Sequence, residues 1–91
     1  MKIDFNKWWN NYDRAQKRAE KQVRRFVNRK VRWAMWNGED TFVIKYYNYQ
    51  NKRTYMTSYI KELGLIIHHI DPYPYCNIMI KIPERKVTAN Q

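Results

Sequence analysis

The segment from Asp4 to Trp36 sorts its side chains into two faces at the period of an α-helix. At 3.6 residues per turn, eight cations fall within an arc of about 140°: Arg14, Lys17, Arg18, Lys21, Arg24, Arg25, Arg29 and Arg32. The opposite side carries Trp8, Tyr12, Ala15, Ala19, Val23, Phe26 and Ala34. Because a helix with this pattern buries its apolar face and exposes the other, the sequence predicts a long amphipathic helix with a basic surface.

Both ends of this helix carry capping signals. Asp4 is a favourable N-cap, and Asn37-Gly38 can take the left-handed conformation that ends helices. Unbroken, the helix would be about 48 Å long, whereas a compact domain of this size is about 30 Å across. It must therefore kink, project, or pack against a second copy. We predict a kink at residues 10–13, because Asn and Asp favour caps over helix interiors.

After Gly38 the apolar residues follow a period of two, which is typical of strands. We predict a strand from Thr41 to Tyr47, a polar turn over residues 48–52, and a returning strand over residues 53–56. Thr57 or Ser58 can then cap a short helix that runs through Leu63 and ends at Gly64.

A second hairpin is predicted in the remaining part of the chain. Residues 65–70 form an apolar run of strand length, and residues 76–82 alternate between the two faces of a strand. Residues 71–75 lie between them and contain two prolines that require a turn. The prediction is thus one α+β domain over residues 1–83, with the basic helix at 14–36 and the element order α-β-β-α-β-β. The sheet is expected to be mainly antiparallel, and residues 84–91 to form a flexible tail.

The charge of the chain is concentrated in the basic helix. The net charge is +10 for 91 residues, and residues 14–36 contain nine Lys and Arg against the single acid Glu20. Solvated helix faces usually mix both signs, whereas this face repels itself. A rod of positive charge suits a polyanion, and Arg pairs two ways with phosphate. Nucleic acid, or a complex containing it, is the expected partner, bound through its backbone because the spacing contains no base-reading code.

Aromatic side chains are a second candidate feature. Five of them are candidates to stack on bases or to contact a partner: Trp36, Tyr47, Tyr49, Tyr73 and Tyr75. Tyr47 and Tyr49 should share a sheet face with Lys45, although Tyr is also simply a good strand former. Trp8 and Trp33 lie near the apolar arc and are expected to be buried.

The sequence offers little for catalysis or metal binding. His68, His69, Asp71 and Cys76 are the only candidates, and adjacent histidines on a strand point to opposite faces. No nucleotide-binding or nucleophile motif is present. We expect a non-catalytic protein without a metal or cofactor.

Location and assembly can also be anticipated. One cysteine, no apolar leader and only strand-length apolar runs favour the cytoplasm and no transmembrane segment. Binding to an anionic membrane surface is not favoured, because the alanine-rich apolar face is expected to cover the sheet. The long helix is compatible with a homodimer.

Four segments between Val27 and Ile82 follow one order: a helix end at Ala34 to Gly38, a strand at Thr41 to Lys45, a short helix end at Tyr59 to Gly64, and a closing strand at Ile78 to Ile82. In this order the stretch resembles small accessory proteins of phages and mobile elements, with Leu65 where an aromatic often follows the second Gly. The resemblance implies a phage-type accessory protein, in the host cytoplasm if phage-encoded. The basic face of the helix gives the leading hypothesis, a small non-catalytic nucleic-acid-binding protein. The alternative is a phage-type, anti-CRISPR-like inhibitor that docks on a nucleic-acid-guided nuclease or other ribonucleoprotein.

Overall fold

In the computed structural model, residues 2–84 are described, and two helices pack on one face of a three-stranded sheet. The elements in chain order are α1 (Phe5–Asn37), β1 (Thr41–Lys45), a 3-10 segment (Tyr47–Lys52), α2 (Arg53–Glu62), β2 (Ile66–Ile70) and β3 (Asn77–Lys81). The α+β class is confirmed. The tail predicted at residues 84–91 lies outside the described residues except for Glu84.

Helix α1 begins and ends at the predicted caps. The Asp4 carboxylate accepts a hydrogen bond from the backbone N–H of Lys7 at 3.2 Å, which satisfies one of the free donors of the first turn. At the other end Gly38 takes a left-handed φ of 67°, and its N–H bonds to Met35 O at 3.2 Å. A residue with a Cβ would be strained in that conformation, so Gly38 fixes the helix end.

The predicted kink at residues 10–13 is wrong, since α1 is one continuous helix of 33 residues. These polar side chains are exposed, so they point to water instead of competing for the helix backbone. The rings of Trp8 and Tyr12 also stack across the segment, with centroids 5.4 Å apart and planes at 12°. A stacked pair four residues apart stabilises the helical turn that joins them.

The sheet has β3 at its centre, with β1 and β2 paired antiparallel on either side. Phe42 lies opposite Ile80 and Ile44 opposite Ile78, and all four are buried. The sheet therefore turns one apolar face toward the helices, as the alternating sequence pattern predicted. The strand β2 has a bulge between Ile67 and His69.

The region predicted as a returning strand at residues 53–56 is the beginning of α2, so the sheet has three strands and not four. Met56 and Ile60 are both fully buried, and a spacing of four places them on one side of a helix. The Tyr59 hydroxyl donates to Asn28 Oδ1 at 2.7 Å and ties α2 to α1. Burial of this face, together with that bond, favours a helix over a hairpin strand.

Only the second half of α1 is part of the hydrophobic core. The buried residues of α1 are Val23, Val27 and Ala34, and none of its residues from Phe5 to Gln22 is buried. The described part of the chain measures 71 × 33 × 20 Å, with a radius of gyration of 17.4 Å. Of the three ways to accommodate the long helix, the chain itself uses projection: the first half of α1 extends beyond the domain.

Candidate nucleic-acid interface

The eight cations predicted on one side of α1 form a continuous exposed surface, which we call the basic stripe. It comprises Arg14, Lys17, Arg18, Lys21, Arg24, Arg25, Arg29 and Arg32, and every one of these residues is exposed. Because α1 is unbroken, the stripe is straight, and its first and last members lie about 27 Å apart along the axis. The helix thus presents a rigid row of cations.

The charge of the stripe is not neutralised by the domain. The one ion pair among residues 2–84 joins His69 and Asp71, so no cation of the stripe is paired with a described carboxylate. Glu20, the single acid between residues 14 and 36, is half-buried and forms no ion pair with a described cation. Unpaired neighbouring cations repel, and an anion bound along the stripe would relieve that repulsion.

A groove runs beside the stripe, between the second half of α1 and β1. Its first part has a volume of about 570 Å³ and is lined by Phe26, Arg29, Lys30, Trp33, Glu39, Thr41, Phe42 and Val43. It continues along β1 past Phe26, Lys30 and Val43 to Lys45, Tyr47 and Asn48. Arg29 belongs to both the stripe and the groove, so the two surfaces are contiguous.

The groove combines cations with exposed rings. Trp33 was predicted to be buried but is 56 % exposed, because the core contacts a neighbouring part of the helix circumference. The Lys30 ammonium lies 5.9 Å from the centroid of the Phe26 ring, within the range of a cation–π contact. Proteins that bind single-stranded nucleic acid often combine cations with exposed rings, because the cations contact the phosphates and the bases stack on the rings.

Sequence reasoning missed Lys30, Trp33 and Lys45 as part of this surface. Lys30 projects on the apolar side of the helical wheel, where a cation is unexpected, and this was the one signal available. Lys45 is in the groove because β1 is an edge strand that runs beside α1, a pairing that the local sequence does not encode.

The five aromatics proposed for stacking do not form one surface. Trp36 is 90 % exposed and precedes β1, whereas Tyr47 follows β1 and stacks on Tyr73 with ring centroids 6.5 Å apart. Tyr75 is exposed in the same loop as Tyr73. Tyr49 is half-buried against Phe26, with ring centroids 5.4 Å apart, so it mainly packs.

Two expectations for the tyrosines are wrong because the strand ends at Lys45. Tyr47 and Tyr49 lie in the 3-10 segment and do not share a sheet face with Lys45. Tyr47 nevertheless lines the same groove as Lys45, since the chain turns back toward α1 there.

The polar cluster at the β2–β3 end is an ordinary hydrogen-bonded turn. His69 Nε2 lies 2.7 Å from Asp71 Oδ1, and the Asn77 side-chain amide donates to Asp71 Oδ2 at 3.3 Å. Cys76 is fully buried. Over residues 2–84, no three His, Cys, Asp or Glu side chains are grouped as metal ligands.

No helix in the described part of the chain is both long enough and apolar enough to span a membrane. Comparison of the chain with protein-family models, with curated proteins and with solved structures found no match.

Proposed function

We propose that this protein is a non-catalytic nucleic-acid-binding protein of the cytoplasm that contacts phosphates through the basic stripe. The observation that supports this proposal most directly is that eight cations on one straight helix are all exposed and none is paired with a described carboxylate. A surface kept only for solubility would intersperse acids and gain stability from the resulting pairs. The basic stripe lacks such ion pairs and therefore lacks the stability that they would add.

The dimensions of the stripe fit a polyanion. Over about 27 Å, a B-form duplex presents roughly 16 phosphates on its two strands, so the stripe meets a high density of negative charge. Arg supplies most of the cations, and its planar fork can bind two oxygens of one phosphate. Since backbone contacts read no sequence, we expect similar affinity for targets of unrelated sequence.

The test is a fluorescence-anisotropy titration with labelled duplex DNA, single-stranded DNA and structured RNA, at low and at physiological salt. The stripe variant carries Arg18→Glu, Lys21→Glu, Arg25→Glu and Arg29→Glu. All four side chains are exposed, so the variant should fold, and its affinity for nucleic acid should fall by about 100-fold or more.

The matched control reverses four exposed cations elsewhere: Lys2→Glu, Arg53→Glu, Lys61→Glu and Lys81→Glu. It undergoes the same change in net charge, so it separates the stripe from the general positive field of the protein. We expect the control to lose far less affinity than the stripe variant. Equal losses in both variants would show that the stripe is not the binding surface.

A second candidate function is a protein-directed inhibitor of the anti-CRISPR type, docking on a nucleic-acid-guided nuclease or other ribonucleoprotein. It is favoured by the exposed aromatics Trp36, Tyr73 and Tyr75, since exposed Trp and Tyr residues often anchor protein interfaces. Salt separates the two functions. A complex held by phosphate contacts weakens steeply as salt rises, whereas a complex anchored by aromatic residues that become buried at the interface retains much of its affinity.

A further inference from the structure

The projecting half of α1 carries a cluster of exposed aromatic residues, which we call the aromatic tip. Its members are Phe5 (66 % exposed), Trp8 (51 %), Trp9 (55 %) and Tyr12 (42 %). Trp8 and Trp9 contact edge to face, with centroids 4.7 Å apart, and Trp8 stacks on Tyr12. Trp8, Trp9 and Tyr12 thus pack on one another, and all four residues still leave roughly half of their surface in water, which is costly for large apolar groups.

The basic stripe does not account for this cluster, because the aromatic tip lies on the opposite arc of the helix. That arc continues the side on which Val23 and Val27 enter the core. Between residues 5 and 19 the arc is free of Lys and Arg: after the tip it carries only Ala15, Gln16 and Ala19. The side of α1 that contacts the core in its second half therefore continues beyond the domain, where the domain does not cover it.

We propose that the aromatic tip is a dimerisation surface, on which a second copy of the chain packs its own tip antiparallel about a twofold axis near Tyr12. An antiparallel pair centred on Tyr12 sets Phe5 against Ala19 and Trp9 against Ala15 of the other copy, and each contact occurs twice by symmetry. Phe5 and Trp9 thus each face an alanine, as large and small residues do in well-packed helix pairs, whereas Trp8 faces Gln16 and Tyr12 meets its own copy.

Area and charge agree with this arrangement. With about 150–250 Å² of surface per aromatic side chain, the exposed parts of the eight tip rings in two copies amount to roughly 650–1,050 Å², which at its upper end reaches the minimum for a specific interface. The basic stripes point away from the shared face, so the charges of the two copies lie on opposite outer sides of the helix pair. The proposal does not depend on what the stripe binds.

Sedimentation velocity over a range of protein concentrations tests the proposal. The wild-type chain should sediment as a dimer of the 11.4 kDa monomer in the micromolar range. Trp8→Glu should shift the dissociation constant upward by at least tenfold, whereas Trp36→Glu should leave it unchanged. Trp36 is the matched control: it lies on the same helix and is 90 % exposed, but it is outside the tip. Circular dichroism should show that both variants fold.

The register is tested by cysteine crosslinking. Tyr12→Cys places two thiols at the axis, and mild oxidation by copper phenanthroline in air should join them as a disulfide. Arg14→Cys, on the opposite face, should crosslink far less, and the native Cys76 is fully buried. A wild-type chain that stays monomeric throughout would overturn the proposal. The proposal would also be overturned if the chain is monomeric and Trp8 becomes shielded from water only when anionic vesicles or a protein partner is added. The aromatic tip would then have another occupant.

Discussion

Tyr46 connects the end of β1 to the β2–β3 turn. It is almost fully buried, and its hydroxyl donates to the backbone carbonyl of Asp71 at 2.6 Å. Tyr46→Phe keeps the ring but leaves this part-buried carbonyl without that donor. We expect the free energy of unfolding to fall by about 1 kcal/mol, measured by urea denaturation.

Tyr75→Phe is the matched control at the residue scale. The Tyr75 side chain lies in the same β2–β3 turn but is 70 % exposed, so removal of its hydroxyl should change stability by less than about 0.5 kcal/mol. If the two variants are equally stable, the Tyr46 bond contributes nothing net, and the turn is positioned by packing alone.

At the scale of elements, α1 divides into a projecting half and a docked half with different coupling to the fold. Arg14 and Arg25 are both exposed, but Arg14 precedes the first buried residue of the helix and Arg25 follows it. Arg→Gly lowers helix propensity by about 1 kcal/mol at either position. At Arg25 that cost should appear in the global free energy of unfolding. At Arg14 most of the cost should not appear in the global free energy of unfolding, because the projecting turns can unfold locally while the domain stays folded.

The comparison is made by urea denaturation at a concentration low enough for the chain to be monomeric. Both variants lose the same side chain and charge, so the difference between them reports only the position. Equal destabilisation would mean that α1 unfolds as one cooperative unit despite its uncovered first half.

The elements that the sequence predicts correctly are those set by local patterns. The caps at Asp4 and Gly38 and the alternation in β3 are signals of neighbouring residues, and all three hold in the structure. The error at residues 53–56 has a tertiary cause: burial of Met56 and Ile60 on one side favours a helix where the polar turn suggested a hairpin. The basic stripe could be listed from periodicity alone, but the groove required knowledge that α1 lies beside β1.

The whole molecule combines an elongated shape with strong positive charge. Its radius of gyration of 17.4 Å exceeds the roughly 12 Å of a compact chain of 91 residues, since the projecting helix lengthens one axis. The stripe begins on the projecting half and continues onto the docked half, so a long nucleic acid can follow it without meeting the sheet. The molecule therefore presents its charge along a line.

If nucleic acid binds along the basic stripe as proposed, the salt dependence of its affinity can be predicted. If all eight cations of the stripe meet phosphates of a duplex, the logarithm of the binding constant should fall with the logarithm of salt concentration with a slope of about −7, the upper limit for this surface. Arg25→Ala, in the middle of the stripe, should make the slope less steep by about one and weaken binding equally for unrelated sequences. Arg53→Ala, an exposed arginine on α2, should leave the slope unchanged. A wild-type slope near −2 would mean that most of the row does not touch phosphate. Binding would then depend on a few contacts, and the groove beside Arg29 would become the better candidate for the main site.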